Sequence, residues 1–250
     1  GDNLNITGTA TFADKHVGNN KAVSVVGILV TGTDAVNYTA NTTTNTTANI
    51  TPRAITVTGA ANTKVYNATT GAAALPTITV GAIQTGDSAV RSETYDDKNV
   101  GTGKTMIPAI VITDGNGGNN YTVTLQNSAN GTITVAPVTV SFTADNKVYD
   151  GNASADILAR TVTGNIAPDG VITATGGTAV FNNKNVGTGK AVTATGFTLS
   201  DSNYAVTVVT PTTANITAKS LSVTANASDK VYDATTGATV IFSDDRVALD

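Results

Sequence analysis

The stretch Pro137-Val138-Thr139-Val140-Ser141-Phe142-Thr143-Ala144-Asp145-Asn146-Lys147-Val148-Tyr149-Asp150-Gly151 carries the two signals that decide the fold. In its first half Val138, Val140 and Phe142 alternate with Thr139, Ser141 and Thr143, the period of two of a half-buried β-strand. The same position reads Ile55, Val57 earlier in the chain and Leu221, Val223 later. Its second half is a repeat marker: Lys147-Val148-Tyr149 is preceded by Lys64-Val65-Tyr66 and followed by Lys230-Val231-Tyr232, each 83 residues apart.

Other markers keep the same register. Asn37-Tyr38 recurs as Asn120-Tyr121 and Asn203-Tyr204, and Ile50 as Ile133 and Ile216, again at 83 residues. A further marker reads Asp14-Lys15-His16-Val17-Gly18, then Asp97-Lys98-Asn99-Val100-Gly101, then Asn183-Lys184-Asn185-Val186-Gly187. Its second interval is 86 residues, so a short insertion lies in a loop between markers. The repeat divides the chain into the second half of a module (residues 1–52), two whole modules (53–136 and 137–219) and the first half of another (220–250). A period of 83 is too long for solenoid coils of 20 to 50 residues and suits small independent domains.

Composition agrees with strands. The 250 residues include 48 threonines and 29 valines against 8 leucines, and β-branched side chains lose rotamer freedom in helices but pack well on pleated sheets. In the 137–219 module about seven short strands are expected, further ones at residues 155–159, 171–175, 178–181, 190–199, 204–208 and 213–217. That number, with frequent turn residues, predicts immunoglobulin-like β-sandwich modules arranged end to end, and each Asn-Tyr marker resembles a tyrosine corner. A β-grasp module is the alternative, though no 11-residue window shows the helical period it needs.

No catalytic, cofactor-binding or metal-ligating residue is assigned. There is no cysteine and one histidine, His16, in a polar turn where surface exposure is expected. Gly101-Thr102-Gly103-Lys104-Thr105 lacks the upstream glycine and following helix of a phosphate loop, and reads as a β-turn with glycines at positive φ. Asp114-Gly115-Asn116-Gly117-Gly118-Asn119 has one carboxylate and no twelfth-position glutamate, so it reads as a corner loop rather than a calcium loop. Asp96-Asp97 and Asp244-Asp245 are adjacent, which on a strand sends the two carboxylates to opposite faces. The Asn-x-Thr/Ser triplets are numerous in so threonine-rich a chain and leave glycosylation open. A net charge of −4 gives no footprint for nucleic acid, and no apolar run suits membrane insertion.

Taken together, Lys-Val-Tyr-Asp-(Gly/Ala), an aromatic followed by Asp/Asn-Lys-Asn-Val-Gly-Thr-Gly-Lys, then Asn-Tyr and Ala-Asn-Ile-Thr resemble the YDG-type repeat of large bacterial surface adhesins, often filamentous haemagglutinin-like exoproteins. The resemblance is fullest over residues 147–217, where Tyr149-Asp150-Gly151 is intact; Asn67 and Ala234 depart from the tripeptide. It implies a secreted, cell-surface protein, involved in adhesion and biofilm, whose modules form a non-enzymatic stalk or fibre. The alternative is a receptor- or glycan-binding module using sandwich-end loops, with an unidentified host or cell-surface ligand. The expected partners are neighbouring modules of a longer chain, and head-to-tail self-association in which the half-modules of two chains complete one another.

Three local expectations follow. Phe12, Tyr95 and Phe181 should be equivalent buried positions, and Tyr38, Tyr121 and Tyr204 equivalent corners. At Gly27 and Gly196 the apolar positions change phase, which predicts an extra residue, a β-bulge, at both.

Overall fold

The structure is a computed structural model that describes residues 1–248; the last two residues of the 220–250 half-module lie outside the described residues. It is all-β, its helical turns among the described residues being two short 3-10 segments, Ala35–Asn37 and Ala167–Asp169. The helix that a β-grasp module requires is not found among them. Two compact units are present, Gly1–Lys64 with Thr69–Ile133, and Val65–Ala68 with Thr134–Asp250.

The first unit holds β1 (Asn5–Phe12), β2 (Gly18–Thr31), β3 (Thr43–Ile50), β4 (Arg53–Thr58), β5 (Asn62–Val65), β6 (Thr77–Val80), β7 (Ser88–Tyr95), β8 (Gly101–Thr113), β9 (Tyr121–Gln126) and β10 (Ser128–Thr134), of which β5 and β10 each pass one residue over the boundary. Strands β1-β2-β3 form an antiparallel sheet. Strands β4 to β10 form a sandwich of two sheets, β6-β4-β9 and β5-β10-β8-β7. Ile55 and Val57 of β4 and Tyr121 of β9 pack there with Ile78, Ile83, Ile110 and Ile112, the last two on the far end of β8.

The second unit repeats the plan. It holds β11 (Ala136–Ala144), β12 (Lys147–Val148), β13 (Ser154–Ala155), β14 (Ile157–Thr163), β15 (Ala174–Phe181), β16 (Gly187–Leu199), β17 (Tyr204–Thr210) and β18 (Thr212–Thr217) as one sandwich, then β19 (Val223–Ala227) and β20 (Val240–Asp244) as a hairpin. The sandwich sheets are β14-β11-β17 and β12-β18-β16-β15-β13. Phe142 from the first sheet meets Ala179, Phe181, Val192, Ala194, Ala214 and Ile216 from the second. The alternation that begins at Val138 therefore buries one face of β11 in a shared core, as its period of two requires.

Strand direction was not legible in the sequence. The opening strand β11 sits in the middle of its sheet, antiparallel to β14 and parallel to β17, and β12 pairs parallel with the closing strand β18. In the first sandwich β4 likewise runs parallel to β9.

Some local expectations need correction. Tyr95 and Phe181 are buried, at 1% and 3% exposed, but Phe12 is 40% exposed. The ammonium groups of Lys64 and Lys147 lie over the Tyr95 and Phe181 rings, 5.0 and 6.0 Å from their centroids. Tyr121 and Tyr204 are buried while Tyr38 is half exposed. At Gly27 the bulge is present: Thr7 pairs with Leu29 and Thr9 with Val26, so Gly27 and Ile28 stand opposite Gly8 alone. At Gly196 it is not: Gly176 pairs with Phe197 and Thr178 with Thr195, an even count. Gly176, Gly177 and Gly196 all take positive φ, so both strands reverse their faces at the same level and no extra residue is needed. Those same glycines carry β15 unbroken through positions 176 and 177, where the sequence predicts a break between two strands.

Candidate functional site

The repeat markers interlock. In the second sandwich Lys147 Nζ donates to the carbonyls of Asn152 and Ser154, both 3.0 Å away, and pairs with Asp150 at 2.7 Å. Lys64 makes the equivalent bonds to Thr69 (2.5 Å) and Gly71 (3.0 Å), and Lys230 to Thr235 (2.9 Å) and Asp233 (2.9 Å). The lysine of the Lys-Val-Tyr marker thus gathers the carbonyls of the loop that follows. The Tyr66 and Tyr149 N–H groups donate to Thr134 and Thr217 at the ends of the closing strands, each at 2.8 Å.

The Lys-Asn-Val-Gly turns are pinned in the same repeating fashion. Asp14, Asp97 and Asn183 each accept the N–H two residues on, at 2.7, 2.7 and 3.0 Å. Each also takes the lysine seven residues on: Lys21 on Asp14, Lys104 on Asp97 at 2.6 Å, Lys190 on Asn183 at 2.5 Å. Burial works against the Lys104 ammonium, but Asp97 and Asp96 outweigh it and hold its pKa above the usual lysine value. Asp96 and Asp97 lie in this turn rather than on a strand, and both reach Lys104, at 3.4 and 2.6 Å. Gly103 and Gly189 take the expected positive φ. Asp244 and Asp245 are separately occupied, Asp244 by Arg246, which holds it down to about 2, and Asp245 by Lys219.

Asp114 is buried and accepts three backbone N–H groups, from Asn116 (2.8 Å), Gly118 (2.8 Å) and Asn120 (3.0 Å). Burial raises its pKa, and those three donors reverse the shift to a net lowering. The loop is a corner built on one carboxylate; among the described residues no cluster of three or more His, Asp or Glu side chains could hold a metal ion.

Tyr121 and Tyr204 depart from a tyrosine corner, since each hydroxyl closes not the turn just before it but a distant one, at Asp87 or Asp169. Tyr121 Oη accepts the Gln84 N–H at 2.9 Å and donates to Asp87 Oδ2 at 2.7 Å. Tyr204 Oη accepts the Ile166 N–H at 3.1 Å and donates to Asp169 Oδ2 at 2.7 Å. The half-exposed Tyr38 donates to Asp2. The sequence signal of these partners is Gly1-Asp2, Gly86-Asp87 and Pro168-Asp169-Gly170, an aspartate in a turn ahead of β1, β7 and β15. Tyr121 holds the Asp87 carboxyl below the usual carboxylate range, with Lys15 adding to the effect. Burial first, and the Asp169 carboxylate second, push the Tyr204 hydroxyl up.

The Tyr121 and Tyr204 corners also receive residues from another repeat. In the first unit Lys15 Nζ lies 3.2 Å from Asp87 Oδ1, and the Val17 N–H donates to Asn120 Oδ1 at 3.0 Å. His16 is half-buried rather than a plain surface residue, its Nδ1 3.2 Å from Asn120 Nδ2. Beside these contacts lies a cavity of about 320 Å3 lined by Val17, Ile50, Arg53, Thr85, Asp87 and Tyr121. In the second unit the visitor is Tyr66, 2% exposed, whose hydroxyl donates to Asp169 Oδ2 at 2.8 Å and whose ring meets Tyr204 edge-on.

Recurring sandwiches whose marker residues bind one another, or the corner of another repeat, define a tandem-repeat β protein. A model of the YDG domain matches residues 1–47, 51–130 and 134–214, and the chain belongs to that family. No match is found among curated proteins or among solved structures.

Proposed function

We propose that the chain is a non-enzymatic structural spacer, a stalk or fibre segment of a bacterial cell-surface adhesin. The observation that carries this reading is the parallel pairing of early with late strands, the opening strand β11 with the penultimate β17 and the two-residue β12 with the closing strand β18. Tension that enters at the start of one strand and leaves at the end of its parallel partner loads their hydrogen bonds in shear, so several must break together. Antiparallel ends would peel one bond at a time. The marker residues support the same reading, since Lys64, Lys104, Lys147, Tyr121 and Tyr204 are spent on internal carbonyls and carboxylates.

A glycan array probed with the full 250-residue chain separates this from a receptor-binding module. A spacer shows no saturable signal. Saturable binding of one glycan class, lost on substituting loops at one sandwich end, would favour the binding reading instead.

A further inference from the structure

We infer that the corner cavity of the first unit is a socket for the Lys-Val-Tyr loop of another repeat, and that in this chain Tyr232 of a second copy fills it, joining chains head to tail.

The occupied form of the site is visible in the second unit. There Asp169 Oδ2 takes two hydroxyl protons, from Tyr204 at 2.7 Å and from Tyr66 at 2.8 Å, with the two ring centroids 5.5 Å apart at 75°. An ionised carboxylate oxygen accommodates two such donors, and an edge-to-face pair is a favoured aromatic geometry. In the first unit the same corner has Tyr121 on Asp87 Oδ2 at 2.7 Å, and Oδ2 accepts no other hydroxyl among the described residues. Lys15 sits on the other oxygen, Oδ1, and its side chain is 66% exposed, so it can stay in place or swing away as a ring enters. The space next to Asp87 is a cavity of about 320 Å3 with Val17 and Ile50 on its wall, apolar cover for one face of a ring.

A matching plug is presented by the same chain. Tyr232 is 90% exposed and Val231 89%, both on a loop already folded for the purpose: Lys230 holds Thr235 and Asp233 as Lys147 holds Asn152 and Asp150. The strand after the plug loop also leaves apolar side chains uncovered, Ile241 (68%) and Phe242 (69%) on β20. Because plug and socket are different residues of the chain, the contact is heterologous and propagates unless its rotation closes a ring.

The inference rests on the spacer reading for its setting and is tested apart from it. Sedimentation of the full chain is measured over a concentration series, alongside Tyr232→Ala, which keeps the socket, and Thr85→Arg, which fills the socket from an exposed wall position and keeps the plug. The wild type is expected to associate, each variant alone to weaken association at least about tenfold, and an equimolar mixture of the two variants to form a dimer that grows no further. Unchanged thermal midpoints confirm that both variants fold. A wild type that stays monomeric, association unaffected by Tyr232→Ala, or a mixture that stays monomeric would each overturn the inference, while leaving the mechanical test of the spacer reading untouched.

Discussion

Tyr66 and Tyr204 stand 138 residues apart, in successive repeats, yet their hydroxyls share a single carboxylate oxygen of Asp169 and their rings meet at 75°. The Tyr204 side chain therefore does two jobs: its ring fills the corner, and its hydroxyl closes a turn from Ile166 to Asp169. Truncation to Ala is expected to cost about 3 to 5 kcal/mol. Tyr204→Phe keeps the ring but leaves the Ile166 N–H and one Asp169 lone pair without this partner, an expected loss of about 1 to 3 kcal/mol. Chemical denaturation of the two variants measures both; equal losses would show that the hydroxyl, not the ring, carries the corner.

Gly59 and Phe142 occupy the same place in successive repeats, and their sandwiches fill it by different means. In the second core the Phe142 ring is packed among Ala179 and Val192. In the first, a Cβ on Gly59 would lie 2.7 Å from Glu93 Oε1 and 2.9 Å from the Met106 carbonyl. The larger Glu93 and Met106 have taken the space. Gly59→Ala is expected to overpack the site by about 1 to 3 kcal/mol, read as a lowered melting midpoint, whereas a midpoint equal to wild type would mean that Glu93 moves aside freely.

Glu93 gives the first sandwich an unusual pH response. Burial raises its carboxyl above 4.5, opposed by the Ala60 N–H on Oε1 at 2.8 Å, while Oε2 is buried without a hydrogen-bond partner. A carboxyl whose folded pKa is raised penalises folding fully above that folded value and not at all below its unfolded one. Glu93→Gln should therefore raise the melting midpoint at pH 7, and the advantage should close as pH falls below about 4.5. Asp87 and Asp97 act in the opposite sense. The Tyr121 hydroxyl lowers the first and the Lys104 ammonium the second. Their contribution is present above 3.8 and is lost as pH falls through their folded values. Midpoints of wild type and Glu93→Gln across this range test both signs.

Lys147 is expected to set the loop that follows it. With Nζ on two carbonyls, Asn152 Oδ1 and Asp150, Lys147→Met removes a half-buried cation from four acceptors. The expected cost is about 2 kcal/mol. Hydrogen exchange should show faster amides at Asn152 and Ser154; unchanged protection there would make the lysine a bystander.

The repeat, the strands and two of the three aromatics before the turns, Tyr95 and Phe181 but not the exposed Phe12, were legible in the sequence because they depend on local alternation and on recurrence. What escaped depends on partners distant in the chain. Parallel pairing of β11 with β17 leaves no mark on either strand alone, since residues face in and out equally well in either direction. Gly176-Gly177 looks like a turn and becomes a matched kink only because Gly196 lies opposite. The corner aspartates Asp87 and Asp169 precede their tyrosines by 34 and 35 residues, too far for a local pattern to join them.

Single-molecule pulling on the full chain, with handles at its two ends, tests the central claim most directly. The β4–β10 and β11–β18 sandwiches are expected to yield in two discrete ruptures, each releasing about 80 residues or roughly 280 Å of chain. Pulling the second sandwich instead through the turn between β15 and β16, where antiparallel strands peel apart, is expected to need clearly less force. Equal forces in both directions, or a gradual extension without discrete ruptures, would contradict a stalk that withstands tension.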